Sequence, residues 1–373
     1  MQLNNSSRSL PAAAIGWLTT NLGRILLSLF VPVLTFLFLW RGFLFLRDTA
    51  APQFVIVIVA IIWGVGGVGL LYLVSNWLVE KLPRNWTRRL QPFVFVGPGI
   101  AILAWYLAIP TIRTLLLSFQ DANSRNFVGL RNYLFAFTDR VMLEAFRNNL
   151  LWMIFGTFFS VALGLLIAVL ADRSRFENVY KAIIFMPMAI SFVGAGVIWK
   201  FMYTYKGEGV GINEIGLLNA IVIALGGQSQ PWLLQPPWNN FLLIIIMIWL
   251  QTGYAMVIIS SAIKGIPTEI MEAARVDGAN EVQVFFRIII PGIRGTLLTV
   301  STTVVIFSLK LFDIVRVMTG GNNRTNVIAN EFYIQRFTYG HTGRASAIAI
   351  ILLMAIIPVI VYNLRQFRES RAF

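Results

Sequence analysis

The sequence predicts an all-α membrane protein, a polytopic bundle of about eight transmembrane helices, and three observations lead to this fold class. Hydrophobic residues make up 57% of the 373 residues and charged residues only 12%, with a mean hydropathy of +0.74. This leaves too little polar surface to cover a soluble domain of this length. The apolar residues are gathered into runs of about 20, the length of helix that crosses a bilayer. Basic residues flank many of these runs, as expected where helix ends meet lipid headgroups.

Eight apolar runs are long enough to span a membrane. The third and fifth contain prolines, which neighbouring helices of a bundle can accommodate. No small-residue cleavage site follows the first run, so we interpret it as a retained span. The first two runs look like an addition to a six-span core, which predicts a division of the chain into residues 1–91 and 92–373. The predicted spans are 25–46, 54–79, 93–117, 150–170, 182–202, 241–263, 295–312 and 345–362.

Lysine and arginine residues predict the orientation of the bundle. They are dense in loops 80–91 and 171–181 and in the C-terminal tail, which lie on one side if there are eight spans. Cytoplasmic loops carry an excess of positive charge, so both termini are expected in the cytoplasm. The opposite loops also hold arginines, but at lower density because those loops are longer. The formal charge of +14 is therefore assigned to the membrane surface and not to nucleic acid.

Several kinds of chemistry are absent from the sequence. There is no cysteine, which excludes disulfides, thiolate metal sites and cysteine nucleophiles. The single histidine, His341, falls in a predicted loop and is interpreted as solvated and not as a metal ligand. No Gly-Lys dipeptide occurs, so the chain has no P-loop for ATP. We expect no enzyme activity, no metal and no cofactor on this chain.

The segment 203–240 is predicted to be an external loop, because it is rich in Gly, Gln, Pro and Trp. Trp232 and Trp238 are interpreted as anchors at the membrane interface, where tryptophan is enriched. Stacking of these rings on a sugar is the alternative.

The cytoplasmic segment 264–291 predicts two short helices joined at a glycine. Thr268 can cap the first helix, Glu269 suits its first turn, and Gly278 is a suitable stop. Asn280 can cap the second helix, and Pro291 is expected to break it. Two interpretations remain open for this hairpin, a docking element for a partner protein and an amphipathic element resting on lipid. The predicted apolar stripe of the second helix is Val282, Phe285, Phe286 and Ile289.

The same segment resembles the EAA loop of permease subunits of binding-protein-dependent ABC importers. The pattern is Glu272-Ala273-Ala274, three residues, Gly278, nine residues, and Ile288-x-Ile290-Pro291. Ile290 stands where the family usually has Leu, a volume-conserving change. The resemblance extends over residues 93–371. Segments 127–133, 312–313, 319–321 and 343–347 are similar to the carbohydrate-type permeases, and the eight-span layout is similar to the larger permease of maltose and α-glucoside systems.

This resemblance implies an importer in a bacterial inner membrane. A second permease would complete the path for a sugar-like solute, such as an α-glucoside, a disaccharide or glucosylglycerol. An extracytoplasmic solute-binding protein would deliver that solute, and an ATPase subunit dimer would bind ATP and Mg. The residues that couple to the ATPase would be Glu272, Ala273, Ala274, Asp277, Gly278 and Pro291.

The resemblance also implies a solute site in the sixth and seventh spans. The alternative for any hydroxyl there is a bond to a carbonyl of its own helix. Lys310 and Asp313, three residues apart, are predicted to form an ion pair. An ion-coupled secondary transporter is the alternative function, although the acids fall in the predicted loops or at their edges and not at membrane depth. The implied solute residues are Leu250, Gln251, Tyr254, Val304, Ser308 and Leu311.

Overall fold

A computed structural model describes residues 30–81, 84–172, 174–206 and 216–369, with side chains to residue 365. Most of these residues are helical, with an isolated β-bridge between Gln120 and Phe127 and no β-strand among them. The chain divides into two compact units, Met1–Pro110 and Thr111–Phe373. The predicted all-α class is confirmed.

The first unit consists of long apolar helices. Helix α1 covers Phe30–Asp48, α2 covers Gln53–Glu80, and α3 runs over Arg84–Leu117, past the end of the unit. Residues 25–29 of the predicted first span lie outside the described residues. Very few side chains of α1 and α2 are buried within the chain, as expected for helices whose solvent is lipid.

The second unit holds the remaining helices, and α9 is the most buried of its long ones. Of the most apolar window of α9, 61% is buried inside the chain. The bounds are α4 Arg131–Thr138, α5 Arg140–Asp172, α6 Glu177–Ala189, α7 Phe192–Met202, α8 Leu217–Ala224, α9 Trp238–Lys264, α10 Thr268–Val276, α11 Glu281–Gly292, α12 Arg294–Leu309, α13 Asp313–Met318, α14 Ile328–Tyr333 with a π-helical turn Ile334–Thr338, and α15 Thr342–Glu369.

The number of spans agrees with the prediction of about eight. Six described helices are long and apolar enough to cross a membrane: α1, α2, α3, α5, α9 and α15. Two bent pairs bring the number to eight if each pair is one span. Helices α6 and α7 meet at 100°, and α11 and α12 meet at 70°.

The fifth predicted span, 182–202, is wrong as a continuous helix. Helix α6 ends in a 3₁₀ turn, Met186–Ala189, that contains Pro187, and Ile190 is extended. The hydroxyl of Ser191 then caps α7 by accepting a hydrogen bond from Gly194 N at 3.0 Å. A proline inside a helix removes a backbone donor, and here the chain breaks instead of bending around it.

Glycines bring the backbones of three segments together around α9. A Cβ atom on Gly164 of α5 would lie 2.6 Å from Ala255 Cβ, closer than atoms can pack. A Cβ atom on Gly253 of α9 would lie 2.5 Å from the carbonyl oxygen of Ile184 in α6. Small residues at such positions let membrane helices approach closely.

The predicted ion pair between Lys310 and Asp313 is also wrong. Lys310 and Asp313 are both described and form no ion pair, because α12 ends at Leu309 and Asp313 begins a separate helix. The i,i+3 spacing therefore does not place them on one helix face. Trp232 is half-buried and packs against the central hydrophobic cluster, with its indole Nε1 buried, and its role as an interface anchor stays a prediction. Trp238 is 66% exposed.

Candidate functional site: a glycine-hinged hairpin

The hairpin formed by α10 and α11 closes at Gly278, which has a φ of +87°. The amide of Gly278 donates to the Arg275 carbonyl at 3.1 Å, and the amide of Ala279 donates to the Ala274 carbonyl at 2.9 Å. This pair of bonds is the Schellman arrangement, which satisfies the last carbonyls of a helix. A Cβ atom at Gly278 would meet nothing within 4 Å, so the backbone angle alone requires glycine there. The predicted stop is confirmed.

The start of the hairpin differs from the prediction. Pro267 occupies the N-cap position and Thr268 is already the first helical residue, so Thr268 does not cap. Pro267 has no side-chain acceptor for the helix amides. Glu269 lies in the first turn as predicted, where a carboxylate is favourable near the positive end of the helix dipole.

Asn280 caps α11, as predicted, in a reciprocal capping box. Its Oδ1 accepts from the Gln283 amide, and Gln283 Oε1 accepts from the Asn280 amide, both at 2.9 Å. Arg275 Nε donates to Glu281 Oε1 at 2.9 Å and ties the two helices together. This hydrogen-bonded carboxylate raises the pKa of Arg275. Both side chains are about half exposed, so the pair contributes little stability.

The predicted apolar stripe of α11 is wrong. Val282 and Phe286 are 64% and 61% exposed, whereas Ile289 is buried and Phe285 packs against the core. The reason is a π-helical turn over Phe285–Ile289, which adds a residue to the turn and rotates the side chains that follow. The helix then continues to Gly292, one residue beyond Pro291.

Helix α10 has two different faces. Met271 and Ala274 pack against the central cluster of the unit. The other face is not covered by any of the described residues, with Ile270 50% and Val276 87% exposed. Of the predicted coupling residues, the structure leaves Ala274 partly buried and exposes Glu272, Ala273, Asp277, Gly278 and Pro291.

An ion-pair cluster beside the hairpin was missed by the sequence analysis. Lys181 Nζ contacts Asp172 Oδ1 at 2.5 Å and also bonds to Glu177 and Ser260. Lys264, at the end of α9, pairs with the same Glu177 at 2.5 Å. The cluster joins the ends of α5 and α9 to the start of α6. Only the i,i+4 spacing of Glu177 and Lys181 is visible in the sequence.

A cavity of about 320 Å³ separates this cluster from the hairpin. Met271, Arg275 and Ile289 line it from the hairpin, and Asp172 and Lys264 line it from the cluster. The hairpin therefore contacts the rest of the unit over only part of its inner face.

The residues of the predicted solute site lie in the interior of the unit. Leu250, Val304 and Leu311 belong to one hydrophobic cluster, and Tyr254 packs against it. Gln251 is 4% exposed, and its Oε1 accepts no hydrogen bond from any described residue. The structure brings aliphatic and polar members of the set into the interior of the unit.

The hydroxyl groups of α9 and α12 bond mainly within their own helices, as the alternative interpretation expects. Ser308 Oγ donates to the Val305 carbonyl at 2.8 Å, and Thr252 Oγ1 donates to the Ile248 carbonyl at 2.7 Å. The same arrangement holds for Ser301, Thr302 and Thr303.

At the other end of α9, buried asparagines hold the loop between α13 and α14. Asn148 Nδ2 donates to the carbonyls of Arg324 and Asn326, at 2.9 and 2.8 Å. Asn240 Nδ2 donates to the same Arg324 carbonyl at 2.9 Å. Asn149 accepts from the Ile328 amide at 2.8 Å. These contacts join residues far apart in the chain, so no local sequence pattern predicts them.

Comparison with known proteins now defines the class. A family model described as "Binding-protein-dependent transport system inner membrane component" matches residues 160–372, more than half of the chain. The chain belongs to this family, and it is a multi-pass inner-membrane transport subunit. The resemblance to ABC importer permeases is confirmed, and the ion-coupled alternative is not favoured.

Particular relatives are similar over most of their length. The osmoprotective compounds uptake permease protein GgtC of Synechocystis sp. is 58% identical over 277 residues, 74% of this chain and 99% of that protein. The alpha-glucoside transport system permease protein AglF of Rhizobium meliloti is 46% identical, over 75% of this chain and 84% of that protein.

A solved structure supports the fold. The crystal structure of a bacterial alginate ABC transporter, in complex with an alginate pentasaccharide-bound periplasmic protein, contains a chain with a TM-score of 0.67 and 19% identity. The match covers 78% of this chain and 98% of that one. At this identity the likeness concerns the fold alone.

Proposed function

We propose that this chain forms, with a second permease, the path for a neutral sugar-like solute across the inner membrane. An extracytoplasmic binding protein delivers the solute, and a separate ATPase dimer hydrolyses ATP with Mg²⁺ to drive transport. The names of GgtC and AglF, which concern osmoprotective compounds and α-glucosides, support this class of solute. The alginate transporter, which carries a periplasmic sugar-bound protein, supports a binding protein as partner.

The observation that carries the proposal is the exposed outer face of α10. Exposed apolar side chains such as Val276, next to the carboxylate of Glu272, are suited to a protein groove. The small side chain of Ala273 allows close approach of the two backbones. In this arrangement the ATPase binds α10 on the cytoplasmic side, where both termini of the chain also lie.

The contacts around the hairpin explain how it can pass on a movement. The hydrogen bonds at Gly278 and the Arg275–Glu281 pair hold α10 and α11 at a fixed angle. Helix α11 leads directly into α12, and α10 follows α9 after three residues. A shift of α10 is therefore transmitted to α9 and α12, the two spans that carry predicted solute residues.

Single-cysteine cross-linking tests the docking surface. Because the chain has no native cysteine, the variants Ala273→Cys and Ala274→Cys each carry one thiol. These neighbours lie on different faces of α10, exposed and partly buried. Ala273→Cys, paired with a groove cysteine on the ATPase subunit, is expected to form a cross-link in the assembled transporter. Ala274→Cys is the control and should cross-link far less. Equal or absent cross-linking of both would refute docking through this face.

We further assign residues 1–91 to an N-terminal addition and residues 92–373 to the permease proper. The family match to 160–372 lies entirely within the second segment and supports this division. Removal of residues 1–91 is expected to leave a chain that still cross-links through Ala273→Cys. Loss of that cross-link from a chain that still inserts into the membrane would contradict the division.

For the solute path we keep the predicted set, which lies in α9, in α12 and at Leu311 just after α12. The buried amide oxygen of Gln251, which accepts no bond from any described group, supports a polar ligand there. Gln251→Leu is expected to abolish solute uptake while Ala273→Cys cross-linking persists. Unchanged uptake would exclude this residue from the path.

A further inference from the structure

A second polar cavity lies at the end of the unit away from the hairpin. Its volume is about 680 Å³, within the range of roughly 300–1,000 Å³ that small-molecule sites occupy. It opens between the junction of α4 and α5, the loop that follows α13, and helix α14. The residues that form its polar wall are Asp139, Asn322, Asn326, Glu331, Gln335, His341 and Arg344.

The floor of this cavity is a buried carboxylate held by amides. Glu331 is 3% exposed, and its two oxygens accept hydrogen bonds from Asn326 Nδ2 and Gln335 Nε2, both at 2.7 Å. No Lys or Arg of the described residues pairs with it. The amides fix the carboxylate and leave the wall preorganised for a polar ligand.

Two residues of the wall have buried polar atoms that remain unpaired. Gln335 Oε1 and His341 Nδ1 have no hydrogen-bond partner among the described residues. Buried polar atoms of a folded protein usually have a partner, so these two atoms beside one cavity are positioned to form hydrogen bonds with the hydroxyl groups of a ligand. The expectation that His341 is solvated is therefore wrong for its Nδ1 atom.

The charges of the wall favour a neutral ligand. Burial and the nearby Arg344 lower the pKa of His341, which keeps the ring uncharged at neutral pH. Arg344 stacks over the Phe135 ring, with 4.1 Å from its central carbon to the ring centroid. Asp139 already caps α5 by accepting from the Val141 amide at 2.9 Å. Two carboxylates and one guanidinium do not form an anion site.

The rim supplies an aromatic surface. Tyr339 is 65% exposed and lines the opening. A sugar has hydroxyl groups around its edge and an apolar face, so it matches a polar wall beside an exposed ring. Cation binding needs no such ring.

We propose that this cavity is a binding site for a neutral polyhydroxylated solute of the sugar class, separate from the predicted site in α9 and α12. It lies near the first turn of α9, whereas the hairpin follows the last. If the transport direction proposed above holds, the solute meets this cavity before it enters the bundle.

Hydrogen–deuterium exchange of the purified full chain tests the site with trehalose as the probe. Trehalose is expected to slow amide exchange in residues 326–341 about fivefold or more. Gln335→Leu should remove this protection, and Gln228→Leu, an exposed glutamine outside the cavity, should keep it. Unchanged exchange in the wild-type chain would overturn the proposal. So would equal protection by sodium chloride alone, which would identify a cation site.

A second variant keeps the test decisive if Gln335→Leu does not fold. Tyr339→Ala changes an exposed side chain. It is expected to raise the half-saturating trehalose concentration about tenfold in the same measurement. An unchanged concentration would remove the ring from the site and contradict the sugar class. The measurement needs neither ATPase nor binding protein, so its outcome is independent of the cross-linking test.

Discussion

The two ends of α9 are built in opposite ways. This helix has 27 residues and is roughly 40 Å long at 1.5 Å per residue. Beyond its last turn, the hairpin is closed by bonds between residues no more than six apart. Beside its first turn, the loop after α13 is held by Asn148 and Asn240, which lie 176 and 84 residues from Arg324. Local bonds leave the hairpin able to move as one piece, whereas long-range bonds fix the loop to the bundle.

The largest effect is expected where the long-range bonds are removed. Asn148→Asp replaces an amide that serves two buried carbonyls with a carboxylate that repels them. The Arg324 carbonyl keeps its bond from Asn240, but the Asn326 carbonyl loses its partner at a cost of about 1–3 kcal/mol. The buried, unpaired carboxylate adds at least as much, so the variant should lose roughly 2–6 kcal/mol of stability. Thermal unfolding of the purified chain measures the loss.

Asn322→Asp is the matched control for this variant. Asn322 is exposed, and its amide bonds only to the nearby Thr319 carbonyl. It should unfold close to the wild-type temperature. If the two aspartate variants unfold together, the loop is not anchored by Asn148.

A smaller effect is expected at the cluster beside the hairpin. Lys181→Met leaves Asp172 and Glu177, which are 16% and 23% exposed, without their shared cation. The cost is about 2–3 kcal/mol, because largely buried charges lose their partner. The same substitution at Lys264, a side chain that is 54% exposed, should cost less than about 1 kcal/mol. Thermal unfolding of both variants measures the two losses of stability. A larger loss for the Lys264 variant would contradict the assignment of Lys181 as the central cation of the cluster.

A smaller free-energy change than at Lys181 is expected at the hinge, although its effect on uptake is large. Gly278→Val forces a β-branched side chain to a φ of +87°, at a cost of about 1–2 kcal/mol. The hairpin should open and solute uptake by the assembled transporter should fall about tenfold or more, with little change in unfolding temperature. Gly278→Asn, which tolerates this conformation better, should retain most of the uptake. Normal uptake by the valine variant would show that the hinge geometry is dispensable.

Sequence reasoning predicted the features that depend on neighbours in the chain. The long apolar runs, the stop at Gly278 and the cap at Asn280 each rest on residues a few positions apart, so local physics is enough. The π-helical turn in α11 was not visible, because the same apolar residues fit an ordinary helix. The break after Pro187 was not predicted either, since a proline within a span can bend the helix or end it.

The contacts across the fold could not be predicted from the sequence. The partners Asn148 and Arg324 carry no shared pattern, and neither do Lys181 and Ser260. The same holds for the cavity around Glu331, whose walls come from three separate segments. Polar residues in such a sequence can be assigned to loops, but their burial depends on which loops the bundle brings together.

The glycines at 164 and 253 set where this permease can deform. Because the backbones pack directly against each other there, α5, α6 and α9 cannot slide past one another without a steric clash. We expect the three helices to move as one rigid body. We therefore expect bending of the bundle to concentrate at the corners after Ala189 and after Gly292, where the chain turns by 100° and 70°. A bulky residue at either glycine is expected to force these helices apart, whereas most lipid-facing positions of the same helices should accept larger side chains.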